Sequence, residues 1–461
     1  MNIVILAAGQ GKRMRSTLPK VLHPLAGKAM LAHVLDAAQA LARGLDVAAR
    51  VTVVVGHGAD AVRASLAAAS DHAAVQTVLQ QTQLGTGHAV MQAVPQLVDA
   101  EPTLVLYGDV PLITAATLRT LIDAAGKDGV GLLTVKMPDP TGYGRIVRDW
   151  HGNVLKIVEQ KDAHGDELTI TEVNTGILVA PTVRLKGWLG KLKNDNAQQE
   201  YYLTDCIAQA VRDGIKVAGV VCANVDETLG INSKSQLAQA ERVVQRRIAE
   251  SLMEAGATLA DPARIDVRGE LTVGSDVFID VGCVFEGRVQ IGDGARIGPY
   301  SVLRNVTVGA QTEVVAFSYF EDSSIGAQAR LGPFSRLRPG AQLADEVHIG
   351  NFVEVKASTM GRGSKANHLA YVGDATVGAD CNIGAGTIVA NYDGANKHKT
   401  VLADNVHTGS NSVLVAPINV GAGATIGAGS TVTREVPAGK LTVARARQTV
   451  IEGWTRPVKK K

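Results

Sequence analysis

At 461 residues and a formal net charge of +2, the chain is long enough for two or three domains and too nearly neutral to call for nucleic acid or an anionic membrane as a partner. Apolar residues are ample for real cores, yet only 4% of residues are aromatic and 49 are glycine, a balance that points to repeats with tight turns. No apolar run reaches membrane-spanning length, the N-terminus lacks the basic segment of a secretory leader, and Cys206, Cys222, Cys283 and Cys381 form no C-x-x-C pair, so a cytoplasmic protein with buried thiols is expected.

The chain opens MNIVILAAGQGKRMRSTLPK, an apolar strand that runs into glycines and then into Lys12, Arg13, Arg15 and Lys20. It is not a dinucleotide fingerprint, because Met14 stands where the third glycine belongs. A Walker loop fails too, since it needs glycine at Leu6 and a hydroxyl at Arg13. What remains is a bare backbone loop followed by dense positive charge, which suits a triphosphate held partly by side chains. The same stretch also reads as an ordinary strand-to-helix turn with a solvated basic start.

Farther along, RVTVVVGH, TLVLYGDVPL, VGLLTVKM and TGILVAP read as strands, with amphipathic stretches such as MLAHVLDAAQALA between them. That alternation predicts an α/β domain with a mainly parallel sheet, whose ligands lie beyond the carboxyl ends of strands. Asp109, one glycine beyond TLVLY, sits at such an end. It is a candidate magnesium ligand or simply a turn aspartate. Next, Leu237, Ala240, Val244, Ile248 and Leu252 share one helical face, and Gly256 is placed to end that helix.

From Val273 the apolar residues recur every six: Ile279, Phe285, Ile291, Ile297, Leu303. Further registers start at Ile325, at Val377 and at Leu402, the last with one polar member, Thr408. A period of six is neither helix nor alternating strand; it is the hexapeptide signature of a parallel β-helix. Aliphatic ladders fill such a prism, which explains the scarcity of aromatics. The slips between registers are expected where loops leave the prism. The widest, VANYDGANKHKTVL, is polar and of functional length.

Taken in order, LAAGQGKRMRSTLPKVLH, QLGTGHAV, LYGDVPLI, DPTGYGRIV, EVNTGIL, NAQQEYYLTD, GPFSRLRPGA, GNFVEVK, GSKANHLAYVGDA, NIGAGT, NYDGANKHKT and RPVKKK resemble the bacterial bifunctional N-acetylglucosamine-1-phosphate uridylyltransferases and glucosamine-1-phosphate N-acetyltransferases. The resemblance covers almost the whole chain; Lys12, where the family usually has threonine, is a small departure. It implies a Rossmann-like uridylyltransferase domain over 1–234, a helical linker over 235–255, and a left-handed β-helix acetyltransferase domain over 256–461. It further implies UTP and acetyl-CoA as co-substrates, magnesium, a homotrimer, and no nucleic-acid or membrane partner.

Carried over by the same resemblance, Leu6, Ala7, Ala8 and Gly9 hold the uridine nucleotide, while Arg13 and Lys20 serve the phosphates and the catalysis. Gln80, Gly85, Thr86, Tyr107 and Gly108 line the pocket, Gly144, Glu159 and Asn174 meet the sugar, and Asp109 and Asn232 bind the metal. In the second half His368 is implied as general base, with Glu354 as the orienter of its ring. A lone histidine is more often structural, and only the motif around His368 argues otherwise. Arg338, Lys356, Tyr371, Asn382, Asn391 and Tyr392 match the acceptor site. Ala385, Ser410, Ala428 and Arg445, with Asn391 and Tyr392, match acetyl-CoA contacts. The basic tail RPVKKK reads as a solvated terminus.

Two rivals remain. One is a single-function sugar-nucleotide pyrophosphorylase whose β-helix is structural; the other is a non-enzymatic scaffold with degraded sites. The scaffold predicts no Asp109 and no charge at the loop, and the pyrophosphorylase predicts no His368 constellation. Both features are present.

Overall fold

The computed structural model describes residues 1–69 and 75–459. The last two lysines of the RPVKKK tail lie outside the described residues. The chain divides into two compact units, Met1–Val244 and Gln245–Lys461.

In the first unit a mixed sheet runs, edge to edge, Val217–Val221, Val130–Lys136, Glu172–Pro181, Pro102–Tyr107, Asn2–Ala7, Arg50–Val55, Gln76–Leu79. All pairings along it are parallel except those of Glu172–Pro181, which is antiparallel to both neighbours. Central strands read as unbroken apolar runs because helices cover both faces. Alternate side chains serve the two layers. Ile3, Ile5, Val53, Leu104 and Leu106 pack with helices Met30–Leu45, Ala59–Ala68 and Ala115–Ala125. Val4, Leu6, Val54 and Val105 pack with Thr86–Ala93, Thr182–Leu189 and Asp205–Arg212. From Asn2–Ala7 the sheet grows one way through Arg50–Val55 and the other way through Pro102–Tyr107. The crevice at this switch point lies beyond Ala7 and Tyr107, where open α/β sheets bind ligands.

The helix Lys234–Glu254 carries the expected apolar face. Leu237, Ala240 and Val244 pack with Leu25, Met30, Leu112 and Ile231 in the first unit. Ile248 and Leu252 pack in the core of the second, where the Gln245 amide bonds both the N–H and the carbonyl of Val267, each at 2.8 Å. Gly256 follows the helix at φ +101°.

The second unit is a left-handed parallel β-helix. Three strides of six close one coil, and each face stacks its own ladder. Ile279, Ile297, Val314, Leu331, Ile349, Ala366, Ile383, Thr408 and Ile426 form one. Phe285, Leu303, Phe320, Leu337, Val355 and Val372 form the second. Ile291, Val308, Ile325, Leu343, Met360, Val377, Leu402 and Val420 form the third.

The expectation that register slips mark loops needs correction. At Leu303 to Val308, Phe320 to Ile325, Val355 to Met360 and Val372 to Val377 the prism side is shorter by one residue and no loop leaves. Only the slip around Asn391–Lys399 is a loop. Thr408, the polar rung, is buried because its Oγ1 accepts the Gly384 N–H at 2.9 Å and meets the Thr387 hydroxyl at 3.0 Å. All four cysteines are free and buried. Among the described residues no helix is long and apolar enough to cross a membrane.

Candidate functional site

The first candidate site is a cleft of about 210 Å³ at the switch point. Leu6, Ala7, Ala8, Gly9, Lys20, Gln80, Gly85, Thr86, Tyr107 and Asp109 all line it. A larger depression of about 460 Å³ over helix Asp205–Arg212 contains none of the expected residues. Convergent polar groups, not volume, mark a site.

Each wall has a local cause. Gly11 sits at φ +60°, and a Cβ there would stand 2.7 Å from Cβ of Lys20. The glycine thus allows the lysine to lie against the loop. Gly176, at φ +87°, lets the Tyr107 ring approach; a Cβ would meet the ring at 2.5 Å. Gly108 ties the crevice together through its N–H, which donates to the Leu6 carbonyl at 2.9 Å. The Asp109 carbonyl accepts from Ile231 at 2.8 Å, which brings Asn232 alongside Asp109.

At the centre the Lys20 ammonium donates to the Asp109 carboxylate, and to Asn232 Oδ1 at 3.0 Å. Two hard oxygens therefore converge on one cation, a donor set of the kind magnesium shares with substrate phosphates. Among the described residues no group of three or more His, Cys, Asp or Glu forms a separate metal cluster. Arg13 is exposed; burial, then the charge of Asp109, raises the Tyr143 hydroxyl, and the Arg13 charge opposes them.

Glu159 and Gly144 face each other, with a Cβ on Gly144 falling 3.4 Å from both carboxylate oxygens. The Asn174 N–H donates to the Gly144 carbonyl at 2.8 Å. Burial raises the Glu159 carboxyl above its usual range, against a 3.1 Å bond from the Thr204 hydroxyl; the carboxylates of Asp205, Asp162 and Glu200 push the same way as burial. Burial, then the charges of Glu159 and Asp109, also raise Tyr107. Sequence reasoning missed Gln83 and Glu200, which line the cleft, and Thr204. Glu200 and Thr204 lie inside the motif NAQQEYYLTD, which was the available signal.

The second candidate site occupies one corner of the β-helix. Successive turns hydrogen-bond there: Leu369 N–H to the Asn351 carbonyl, Gly386 to His368, Asn411 to Ala385, Gly429 to Ser410. Arg445 continues the series by donating to the Ala428 carbonyl. His368 and the expected coenzyme residues Ala385, Ser410, Ala428 and Arg445 are thus brought to one exposed edge. Below them the same corner carries Tyr300, Phe317, Phe334 and Phe352, half-exposed rings stacked at 5.4, 5.1 and 5.4 Å.

Glu354 is not the partner of His368. Arg338 at 2.9 Å and Arg336 at 3.4 Å take its carboxylate. The ring Nδ1 of His368 instead meets Asn351 Oδ1 at 3.1 Å, because Asn351 is its register partner on the preceding coil.

Lys356, Tyr371 and Asn391 form a separate cluster around Asp374, which sequence reasoning missed. Its carboxylate lies 3.5 Å from Lys356 Nζ and accepts from the Asn391 amide, which also lies 3.5 Å from the Tyr371 hydroxyl. The neighbouring Lys356 lowers the pKa of Lys397, from the long loop, while the Asp374 carboxylate opposes that shift. Tyr392 is exposed, its hydroxyl donating to the Gly394 carbonyl at 2.6 Å. Asn382 is half-buried on the strand Asn382–Ile383.

Comparison with known proteins finds both halves. Residues 3–165 match the MobA-like NTP transferase domain, and residues 271–305 match the bacterial transferase hexapeptide (six repeats). Over the whole chain, the bifunctional protein GlmU of Cupriavidus pinatubonensis is 60% identical across 460 residues, covering 100% of this chain and 99% of that protein. Those of Ralstonia nicotianae and Aromatoleum aromaticum are 59% and 60% identical across 461 residues, with the same coverage. At that identity over its full length, the chain belongs to the family of bifunctional GlmU proteins.

Proposed function

We propose that the two units divide the two reactions of UDP-N-acetylglucosamine synthesis between them. The β-helix unit transfers acetyl from acetyl-CoA to glucosamine-1-phosphate. The α/β unit then transfers uridylyl from UTP to N-acetylglucosamine-1-phosphate and releases pyrophosphate. The observation that carries this reading is that one chain holds two separate constellations, each suited to an anionic sugar: Lys20, Asp109 and Asn232 brought together at the sheet's switch point, and His368 with its coenzyme corner on the prism.

In uridylyl transfer a phosphate oxygen of the sugar attacks the α-phosphorus, and the bond to the β-phosphate breaks as pyrophosphate leaves. Both reactants are anions, so positioning and charge neutralisation supply most of the rate. Arg13 and Lys20 hold phosphate. Leu6 through Gly9, Gln80, Gly85, Thr86, Tyr107 and Gly108 shape the uridine pocket, and Gly144, Glu159 and Asn174 meet the sugar. Asp109 and Asn232 are the residues that would hold magnesium, which supplies positive charge to the phosphates.

In acetyl transfer the amine nitrogen attacks the thioester carbonyl, the C–S bond breaks, and His368 takes the amine proton. Asn351 fixes the ring, and Arg338, Lys356 and Tyr371 bind the acceptor's phosphate end. The His368 corner and the Asp374 cluster are separated by extended chain, at about 3.3 Å per residue. That separation and the exposed corner support a homotrimer in which a second copy completes the acetyl site. Four free cysteines support a reducing cytoplasm.

Two assays on purified protein test the reading. One follows free thiol from acetyl-CoA with glucosamine-1-phosphate; the other follows pyrophosphate from UTP with N-acetylglucosamine-1-phosphate. Both should be positive. Pyrophosphate without thiol release would favour the single-function pyrophosphorylase.

A further inference from the structure

The inference drawn here rests on the proposed metal role of Asp109 and Asn232 and concerns what their oxygens do before substrate arrives. In this structure both already hold a cation, the ammonium of Lys20. The lysine and aspartate side chains are only 11% and 18% exposed, so solvent and salt screen the pair weakly. We propose that Lys20 is a built-in counter-ion that keeps the metal position closed until substrate phosphate draws its ammonium away.

A half-buried carboxylate left without a partner is costly. Lys20 removes that cost for Asp109. It cannot do so with a divalent ion on the same two oxygens, because two cations a few ångströms apart repel strongly in a weakly screened site. The lysine therefore needs a second anionic partner before a metal can enter. Its stem lies against the phosphate loop, since Gly11 provides the space beside Cβ of Lys20. With the stem fixed there, only the ammonium end has to swing from Asp109 toward the loop. A triphosphate oxygen bound there offers a charge-assisted hydrogen bond of comparable strength. The swing exchanges one carboxylate for one phosphate and opens Asp109 and Asn232 together. Metal and nucleotide affinities are then coupled, each raising the other.

Titration of the full-length protein with Mn²⁺ alone, read by electron paramagnetic resonance of the free ion, tests this without turnover. If Lys20 occupies the position more than about nine-tenths of the time, it weakens apparent metal affinity at least about tenfold. Lys20→Met should therefore bind Mn²⁺ at least about tenfold more tightly than the wild type, although its uridylyl transfer is lost. The gain should persist in high salt, where a long-range charge effect is screened. It should vanish in the Lys20→Met, Asp109→Asn double variant. Lys20→Gln repeats the test with a different neutral side chain, and circular dichroism verifies each fold.

No gain in Lys20→Met, or a gain that survives Asp109→Asn, would overturn the inference. A separate arm tests the underlying reading, namely Mn²⁺ affinity in the presence of UTP. If Asp109→Asn leaves that affinity unchanged, the metal assignment itself falls. If it lowers that affinity while Lys20→Met shows no gain, only the role of Lys20 falls.

Discussion

In the α/β unit the candidate side chains come from strand ends and connecting segments far apart in the chain and converge on one crevice. Lys20 reaches Asp109 across 89 residues and Asn232 across 212. In the β-helix the candidate residues recur once per coil along an exposed corner, each held by the turn before it. A convergent site can gather all its polar groups from one chain. A linear site offers an edge, and a second surface is needed to enclose what binds there. Both sites are proposed to take a sugar phosphate, so the proposed need for a partner subunit at one of them follows from architecture and not from substrate.

The sharpest way to break the comparison is to remove one group from each side. His368→Ala should lower acetyl transfer by about a hundredfold to ten-thousandfold, the usual worth of a general base, with uridylyl transfer unchanged. Near-normal thiol release from that variant would make the histidine structural. Asp109→Ala should reverse the pattern. Pyrophosphate release should fall on the order of a hundredfold to a thousandfold through lost charge positioning, while thiol release holds. Loss of both activities in either variant would mean that the two sites do not work independently.

A smaller effect separates the interiors. Burial raises the Glu159 carboxyl, so on acidification it takes its proton at a higher pH than an ordinary carboxylate. A protonated group is a poorer acceptor for sugar hydroxyls. The KM for N-acetylglucosamine-1-phosphate should therefore rise as pH falls through that raised value, by about tenfold for one charged hydrogen bond. Steady-state kinetics across pH on the wild type and Glu159→Gln will check it, the variant giving a flat profile. The exposed corner of the β-helix has no counterpart to this buried carboxyl.

How much was legible in the sequence follows the same division. The hexapeptide ladders were readable because each six-residue stride buries a large aliphatic or aromatic side chain at the same place, as at Ile279, Phe285 and Ile291, with a second residue buried two positions before it, as at Val277, Cys283 and Val289. The loop that holds Lys20 was readable as a place for phosphate. What the lysine touches was not, because only the sheet order brings Asp109 and Asn232 to it. The ring partner of His368 was expected to be Glu354, three residues beyond Asn351, which the ring meets in this structure. Asn351 lies 17 residues away, and which residue faces which across coils depends on how many residues each side uses. Sides one residue short, as at Leu303 to Val308, carry no local signal. Asp374 was missed because nothing about an aspartate at a turn announces the lysine and asparagine that fold onto it.

The smallest expected effects are on stability, and they should fall on one unit at a time. Gly176→Ala places a methyl against the Tyr107 ring at a left-handed backbone position and should cost about 1–3 kcal/mol. Thr408→Val strands the Gly384 N–H inside the prism and should cost about the same. Calorimetry should show each substitution lowering one unfolding transition and sparing the other. A shift of both transitions together would mean that the units unfold as one.

The uridylyl site is proposed to be complete in one chain, and the acetyl site to need a second copy. The most direct measurement dilutes the full-length protein in mild urea, well below the unfolding transition. Light scattering then gives the mass while both activities are followed on the same samples. The account predicts that acetyl transfer per chain falls in step with the loss of trimer while uridylyl transfer per chain stays constant. A monomer that still acetylates at the full rate would contradict it.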